Sequence, residues 1–357
     1  PLSDFTLIPN HTLRRLIQDW CVANRSSGVE RIPTPKQPAE PALVRSLLCQ
    51  AGSFSGTVRS RLSAVRRLRA LARDSDKNRH VIASLNVTEI LIGIIFGTGC
   101  NSAELTHESL ALLVMFQLTE SECVTVASDN SRISLLSGLL SHSSLEVRVN
   151  AAALIEIIVA GTRSTELRQL VSDSDEVFDG VVEILRSVSS PRAVKVGVKA
   201  LFALCLAKQT RHRAVTAGAA SALVDRLASG GLDKCDAERA LATVELLGRV
   251  PTGRAALESH ALTVPVLVSS ILRVSDRATE YAVGALVAVC SESEMCLGEA
   301  VVAGVMTQLL LLVQSECTDR AKRKAQFLLK LLRDSWPEES AVGSSDDYFV
   351  YSEVVPF

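Results

Sequence analysis

The chain is predicted to be an all-α solenoid, on three observations. A short pattern returns about every 43 residues: a small or polar residue, a few variable positions, then an apolar run ending in Leu or Ile. Asn86, Ser131, Glu176, Gly218, Ala261 and Gly304 stand before successive runs, at intervals of 45, 45, 42, 43 and 43 residues. Regular spacing on this scale means one supersecondary unit stacked on copies of itself. The composition agrees, with 47% hydrophobic but only 4% aromatic residues. Leu, Val and Ala carry the apolar load, which suits helices packed on helices better than sheets. Finally, 357 residues are too many for one compact core, and a repeat array removes that limit.

The elements follow in order. Residues 1–10 read as a loop, with Asn10 placed to cap a helix from about His11 to Ala23. Leu13, Leu16, Ile17 and Trp20 fall at i, i+3, i+4 and i+7, one apolar face that needs a partner. Residues 26–41 carry Pro33, Pro35, Pro38 and Pro41 and read as an extended linker. The array is expected over 42–336. Each unit has a short helix, a second helix and a longer third one. The longest helices are placed at 57–73, 104–118, 145–161, 192–207, 235–249, 277–291 and 319–334. Small residues recur inside them, as at Ala151–Ala153, Ala200 and Ala285, where helices must approach closely. Gly161, Gly218, Gly230, Gly231, Pro251 and Gly253 read as helix stops.

Three-helix units of this period are the armadillo pattern, giving about six to seven repeats; two-helix HEAT repeats are the near neighbour. The last helix reads as a cap. Ala321, Ala325, Leu328 and Leu332 form its inner face, and Lys322, Gln326, Lys330 and Arg333 its wet one. Residues 337–357 are acidic and Ser-rich and are expected to be disordered.

Several function classes find no support. A net charge of -1 and a pI near 6.7 favour neither nucleic acid nor a membrane surface. No stretch approaches the roughly 18 apolar residues of a membrane span. Nine cysteines include no C-x-x-C pair and read as buried free thiols of a reducing compartment. No phosphate-loop or H-E-x-x-H motif occurs, and His80, His107, His142, His212 and His260 are scattered. No metal or cofactor is expected.

The most specific stretch is residues 1–21, PLSDFTLIPNHTLRRLIQDWC. Pro9 and Asn10 lead into a helix of the form Thr-Leu-x-x-Leu-Ile-x-x-Trp, carried here by Thr12, Leu13, Leu16, Ile17 and Trp20. This resembles the close of a U-box domain, so residues 1–25 are read as a U-box remnant. A Pro-containing linker and armadillo repeats then complete the layout of plant U-box armadillo proteins. The resemblance implies an E3 ubiquitin-protein ligase with a zinc-free, RING-like U-box. It would hold a ubiquitin-loaded E2 conjugating enzyme and position its thioester for attack by a substrate lysine. The family's E2-contacting loops and its ubiquitin-clamping basic residue precede the matched segment. No catalytic residue is therefore assigned. The chain is read as a fragment, inactive alone, of an active parent. The resemblance also implies a plant source, a cytoplasmic setting with nuclear entry open, and stress, immune or hormone signalling. A homodimer is left open.

The array is expected to bind protein. In armadillo folds the third helices line a groove. On the first of them Arg59, Arg66, Arg69 and Arg73 share an arc of about 80° at 100° per residue. Arg61, Arg67, Lys77 and Arg79 add charge, against Asp74 and Asp76. This stripe is the expected seat of an acidic or phosphorylated partner held by guanidinium forks. A non-enzymatic armadillo scaffold or adaptor binding such partners is the alternative function. Nuclear-import-type peptide binding is disfavoured, because Trp20 and Trp336 both lie outside the interior repeats and no Trp–Asn ladder exists. The acidic tail, with Ser344, Ser345, Asp346, Asp347, Tyr348 and Tyr351, reads as a phosphorylation segment, and its charge complements the basic first repeat, onto which it is expected to fold back.

Overall fold

The computed structural model describes residues 10–28, 38–53, 56–97, 102–187 and 190–334. Among them are 21 α-helices, two short 3-10 turns and no strand. The chain divides into two compact units, 1–116 and 117–357. Pro9, most of the linker, Trp336 and the tail lie outside the described residues.

The first unit begins with α1 (His11–Ala23), at the expected bounds. Asn10 caps it: its side-chain oxygen accepts the backbone N–H of Leu13 at 2.9 Å. Then follow α2 (Pro41–Gly52), α3 (Val58–Asp74), α4 (Asp76–Ala83), α5 (Val87–Phe96) and α6 (Ala103–Leu113). α3 packs against α2, α4 and α6, burying Leu62, Ala64, Val65, Leu68 and Ala72. α6 stops five residues short of the expected 118. Val114 caps it, its N–H bonding to the Leu110 and Leu112 carbonyls.

The second unit holds five complete three-helix repeats. They are α7 (Glu120–Ala127), α8 (Asn130–Leu140) and α9 (Leu145–Gly161); α10 (Thr165–Ser172), α11 (Asp175–Arg186) and α12 (Pro191–Cys205); α13 (Arg211–Thr216), α14 (Ala219–Ser229) and α15 (Lys234–Gly248); α16 (Pro251–Glu258), α17 (Thr263–Ser270) and α18 (Asp276–Cys290); and α19 (Glu294–Val302), α20 (Val305–Gln314) and α21 (Asp319–Asp334). Third helices stack in order, α9 on α12, α12 on α15, α15 on α18 and α18 on α21. The second helices make a parallel column, α8 on α11 on α14 on α17. Each repeat thus buries its apolar stripe against the next, as a quasi-one-dimensional array requires.

The repeat is written in small details of the sequence. Thr57, Ser102, Ser144, Ser190, Asp233, Ser275 and Thr318 immediately precede the seven third helices. All but Ser144 accept a backbone N–H three residues on with the side chain. The step from first to second helix passes through a left-handed residue at Gly218 (φ 84°) and Gly304 (φ 82°), where glycine avoids the Cβ clash. Gly197 serves close packing: a Cβ there would lie 3.1 Å from the Leu185 backbone of α11. Pro251 starts a helix instead of stopping one. At the first position of α16 its missing N–H costs nothing, and Gly253 lies in the same turn.

Candidate functional site

The feature that could engage a macromolecule is the outward stripe of the third helices. On α12, Arg192, Lys195, Lys199, Phe202 and Leu206 fall within an arc of about 80°. Lys195 and Leu206 are exposed and Phe202 is partly so. Equivalent positions on α15 hold Cys235, Glu238, Ala242, Glu245 and Arg249. Those on α18 hold Arg277, Glu280 and Gly284, and those on α21 hold Arg320, Arg323, Phe327 and Lys330; Arg239, Tyr281 and Lys324 stand beside this stripe, each one residue past its Glu238, Glu280 or Arg323.

Polar side chains tie each stripe to the next at one recurrent spacing. Lys195 Nζ donates to Asp233 at 2.9 Å, 38 residues on. Ser275 Oγ donates to Glu238 at 2.6 Å, and Thr318 Oγ1 to Glu280 at 3.2 Å. In each case the fifth residue of one third helix meets the N-cap of the next. The chemistry is matched: a lysine faces an aspartate cap, and a glutamate faces a hydroxyl cap. Asp233 therefore has its carboxyl held down to about 2, first by the Asp236 backbone N–H and then by Lys195.

One contact skips a repeat. Lys324 of α21 reaches across α18 to Glu245 of α15 at 2.9 Å, and also to the Glu280 carbonyl at 3.1 Å. The path is open because α18 has Gly284 there. A Cβ at that position would lie 2.5 Å from Glu245 Oε1 and 2.8 Å from Lys324 Nζ. Glu245 is nearly buried and is also bonded by Arg249 at 3.2 Å. Toward the middle of the unit, burial raises the Glu156 carboxyl, and the charges of Lys199 and Arg239 oppose that shift.

The sequence-predicted residues fall in the first unit. Leu13 (53%), Leu16 (61%), Ile17 (38%) and Trp20 (59%) of α1 all stay exposed, so the apolar stripe is formed but uncovered. Pro9 lies outside the described residues. The arginine stripe of α3 is already engaged. Arg66 pairs with Glu104, and with Glu108 at 3.6 Å; Arg69 pairs with Glu108 at 2.7 Å. Arg59 is exposed. Arg73 is exposed and takes part in a polar interaction. Arg61, counted as part of the basic cluster, is buried and donates to the Ala51 carbonyl at 2.9 Å. The acidic partners Glu104 and Glu108 stand on α6, away from the sequence neighbours of the α3 arginines. The signal that finds them is opposite charge at one repeat spacing, 38 and 39 residues on.

Of the cysteines read as buried, Cys49 and Cys235 are exposed, and Cys21, Cys123, Cys205, Cys290, Cys296 and Cys317 are buried. Burial pushes the thiols of Cys123 up to about 11 and of Cys205 and Cys290 up to about 12, far from a thiolate nucleophile. Among the described residues no cluster of three metal-ligating side chains occurs, and no single helix is long and apolar enough to cross a membrane. The arrangement presents side chains at a regular pitch along the third helices.

Comparisons with known proteins agree with this geometry. The family described as "Plant U-box protein ARM repeat region" matches residues 44–352. U-box domain-containing protein 26 of Arabidopsis thaliana is 63% identical over all of this chain and 86% of its own length. E3 ubiquitin-protein ligase PUB23 of the same plant is 32% identical, over 94% of this chain and 82% of its own. Among solved structures, one from work on a phosphorylation switch in the cadherin–β-catenin interaction aligns at TM-score 0.65 and 15% identity, over 94% of this chain and 61% of that one. A designed armadillo repeat protein aligns at TM-score 0.51 and 19% identity, over 82% and 99%. The repeat spacing, the three-helix units and these relatives together place the chain in the plant U-box armadillo-repeat family.

Proposed function

We propose that this chain is the substrate-binding arm of a U-box E3 ubiquitin-protein ligase. The observation that carries the reading is α1. Its sequence matches the closing helix of a U-box, and its Leu13, Leu16, Ile17 and Trp20 face is formed but uncovered. An uncovered stripe of this kind marks an interface with something else. In a U-box that interface is the body of the E2-recruiting domain. The relatives named as E3 ubiquitin-protein ligases support the activity.

On this reading the third-helix stripe holds a protein substrate, and the U-box brings the E2~ubiquitin thioester to a substrate lysine. Catalysis is by proximity and orientation, with no intermediate formed on this chain. Such a role needs a rigid array with a regular polar face, and it needs no reactive thiol or metal. A cytoplasmic protein, nuclear in part, working in stress or immune signalling fits the same reading.

The test is E2 binding. A protein extended N-terminally through the whole U-box should bind ubiquitin-conjugating enzymes, and the chain described here should not. In the extended protein Trp20→Ser should weaken that binding about tenfold or more by loosening the domain. If the extended protein folds, buries Trp20 and still binds none of a broad E2 panel, the ligase reading fails and the armadillo scaffold takes its place.

A further inference from the structure

The inter-repeat ties predict what α21 lacks. On α12, α15 and α18 the residue five past the N-cap meets the N-cap of the following third helix: Lys195 with Asp233, Glu238 with Ser275, Glu280 with Thr318; on α9 that position is the buried Val149. Arg66 meets Glu104 of α6 at the same 38-residue spacing. On α21 this position is Arg323, which bonds only the Asp319 carbonyl of its own helix, at 3.3 Å. By the matching rule a cation here calls for an acidic counterpart.

Arg323 does not stand alone. Arg320, Arg323, Phe327 and Lys330 occupy one arc of about 80° on α21, opposite the buried Ala321, Ala325, Leu328 and Leu332. All four are exposed, Phe327 at 49%. Arg320 and Lys330 form no ion pair with any described residue. The strip thus offers three cations around an aromatic ring, over about 15 Å of helix.

We propose that this strip docks the chain's own acidic, aromatic segment around Ser344–Tyr351. Residues 335–357 contain Glu338, Glu339, Asp346, Asp347 and Glu353 and neither Lys nor Arg. Asp346 and Asp347 adjoin Tyr348 and Phe349, so carboxylates and rings come in the order the strip can receive: carboxylates on the guanidinium forks, a ring against Phe327. Reach is sufficient. Twelve residues join Asp334 to Asp346 and span up to about 40 Å extended, more than the roughly 24 Å of α21. The tether sets an effective concentration near the millimolar range, so a weak contact suffices. The first basic helix is a poorer seat, because its Arg66 and Arg69 already hold Glu104 and Glu108. The proposal does not depend on the ligase reading. Its consequence is that the tail occupies the α21 end of the recognition stripe until an acidic partner displaces it.

Zero-length carbodiimide cross-linking of the full chain tests this, because it joins a lysine amine only to a carboxylate in contact. Lys330 should link to Asp346 or Asp347, and Lys208, exposed on the 3-10 turn between α12 and α13, should not. Raising the salt from about 0.05 M to about 0.5 M should cut the Lys330 product by about threefold or more. Arg320→Glu with Arg323→Glu should abolish that product while helicity is unchanged. Adding Asp346→Lys and Asp347→Lys to that double variant should restore a tail-to-α21 link of reversed polarity. Mixing isotope-labelled and unlabelled chains should give no mixed pairs. Equal linking at Lys208 and Lys330, failure of the charge swap to restore the link, or mostly mixed pairs would each overturn the proposal.

Discussion

Two basic helices, α3 and α21, show how position in an array decides what a charge does. Both carry a stripe of cations over an arc of about 80°. On α3 the stripe is answered from within: Glu104 and Glu108 of α6 neutralise Arg66 and Arg69. On α21 the same stripe has no following third helix among the described residues, and Arg320 and Lys330 form no ion pair with any of them. Arginine count alone does not separate the two. What separates them is whether a carboxylate stands one repeat on. The charged run of α3 ties one repeat to another, and that of α21 has no such carboxylate among the described residues.

Substitutions sharpen this contrast. The largest effect is expected at Lys324, whose amine satisfies the nearly buried Glu245. Lys324→Met should cost about 2 kcal/mol in chemical denaturation, because the carboxylate loses a close cation it cannot replace from water. Glu108→Gln should cost about 1 kcal/mol by releasing Arg69, a partly buried pair. It should also let α3 bind an acidic peptide measurably, turning α3 into a helix like α21. Arg323→Ala should change stability by no more than about 0.5 kcal/mol, since that side chain bonds only its own helix. A large loss there would mean that α21 is as internally satisfied as α3.

A pH titration probes the ground between them. Burial raises the Glu156 carboxyl above its ordinary 4.5. A folded-state value above the unfolded one stabilises below the unfolded value, and that stability is lost as pH rises through the folded value. Stability should therefore fall as pH climbs from about 4.5 through the raised value. Glu156→Gln should flatten that part of the curve. An unchanged slope would show that Lys199 and Arg239 fully offset the burial.

Much of this was legible in the sequence for identifiable reasons. The repeat period and the third helices come from hydrophobic spacing, which the packing of each unit enforces. The predicted 145–161 and 319–334 match α9 and α21 at both ends. Asn10 as a cap and His11–Ala23 as a helix were readable because capping is local chemistry. The fate of the arginines was not readable from neighbours, because their partners lie 38 or 39 residues away and only stacking brings them together. The reach of Lys324 to Glu245 was hidden more deeply. It spans 79 residues and depends on a missing side chain at Gly284.

The most direct test of the central claim is a ubiquitin-transfer assay with E1 and a panel of E2 enzymes. It would compare the protein extended N-terminally through the proposed U-box with the chain described here. The account predicts ubiquitin chains from the extended protein and none from the array alone. A folded extended protein that transfers no ubiquitin with any E2, or an array that transfers it unaided, would contradict it.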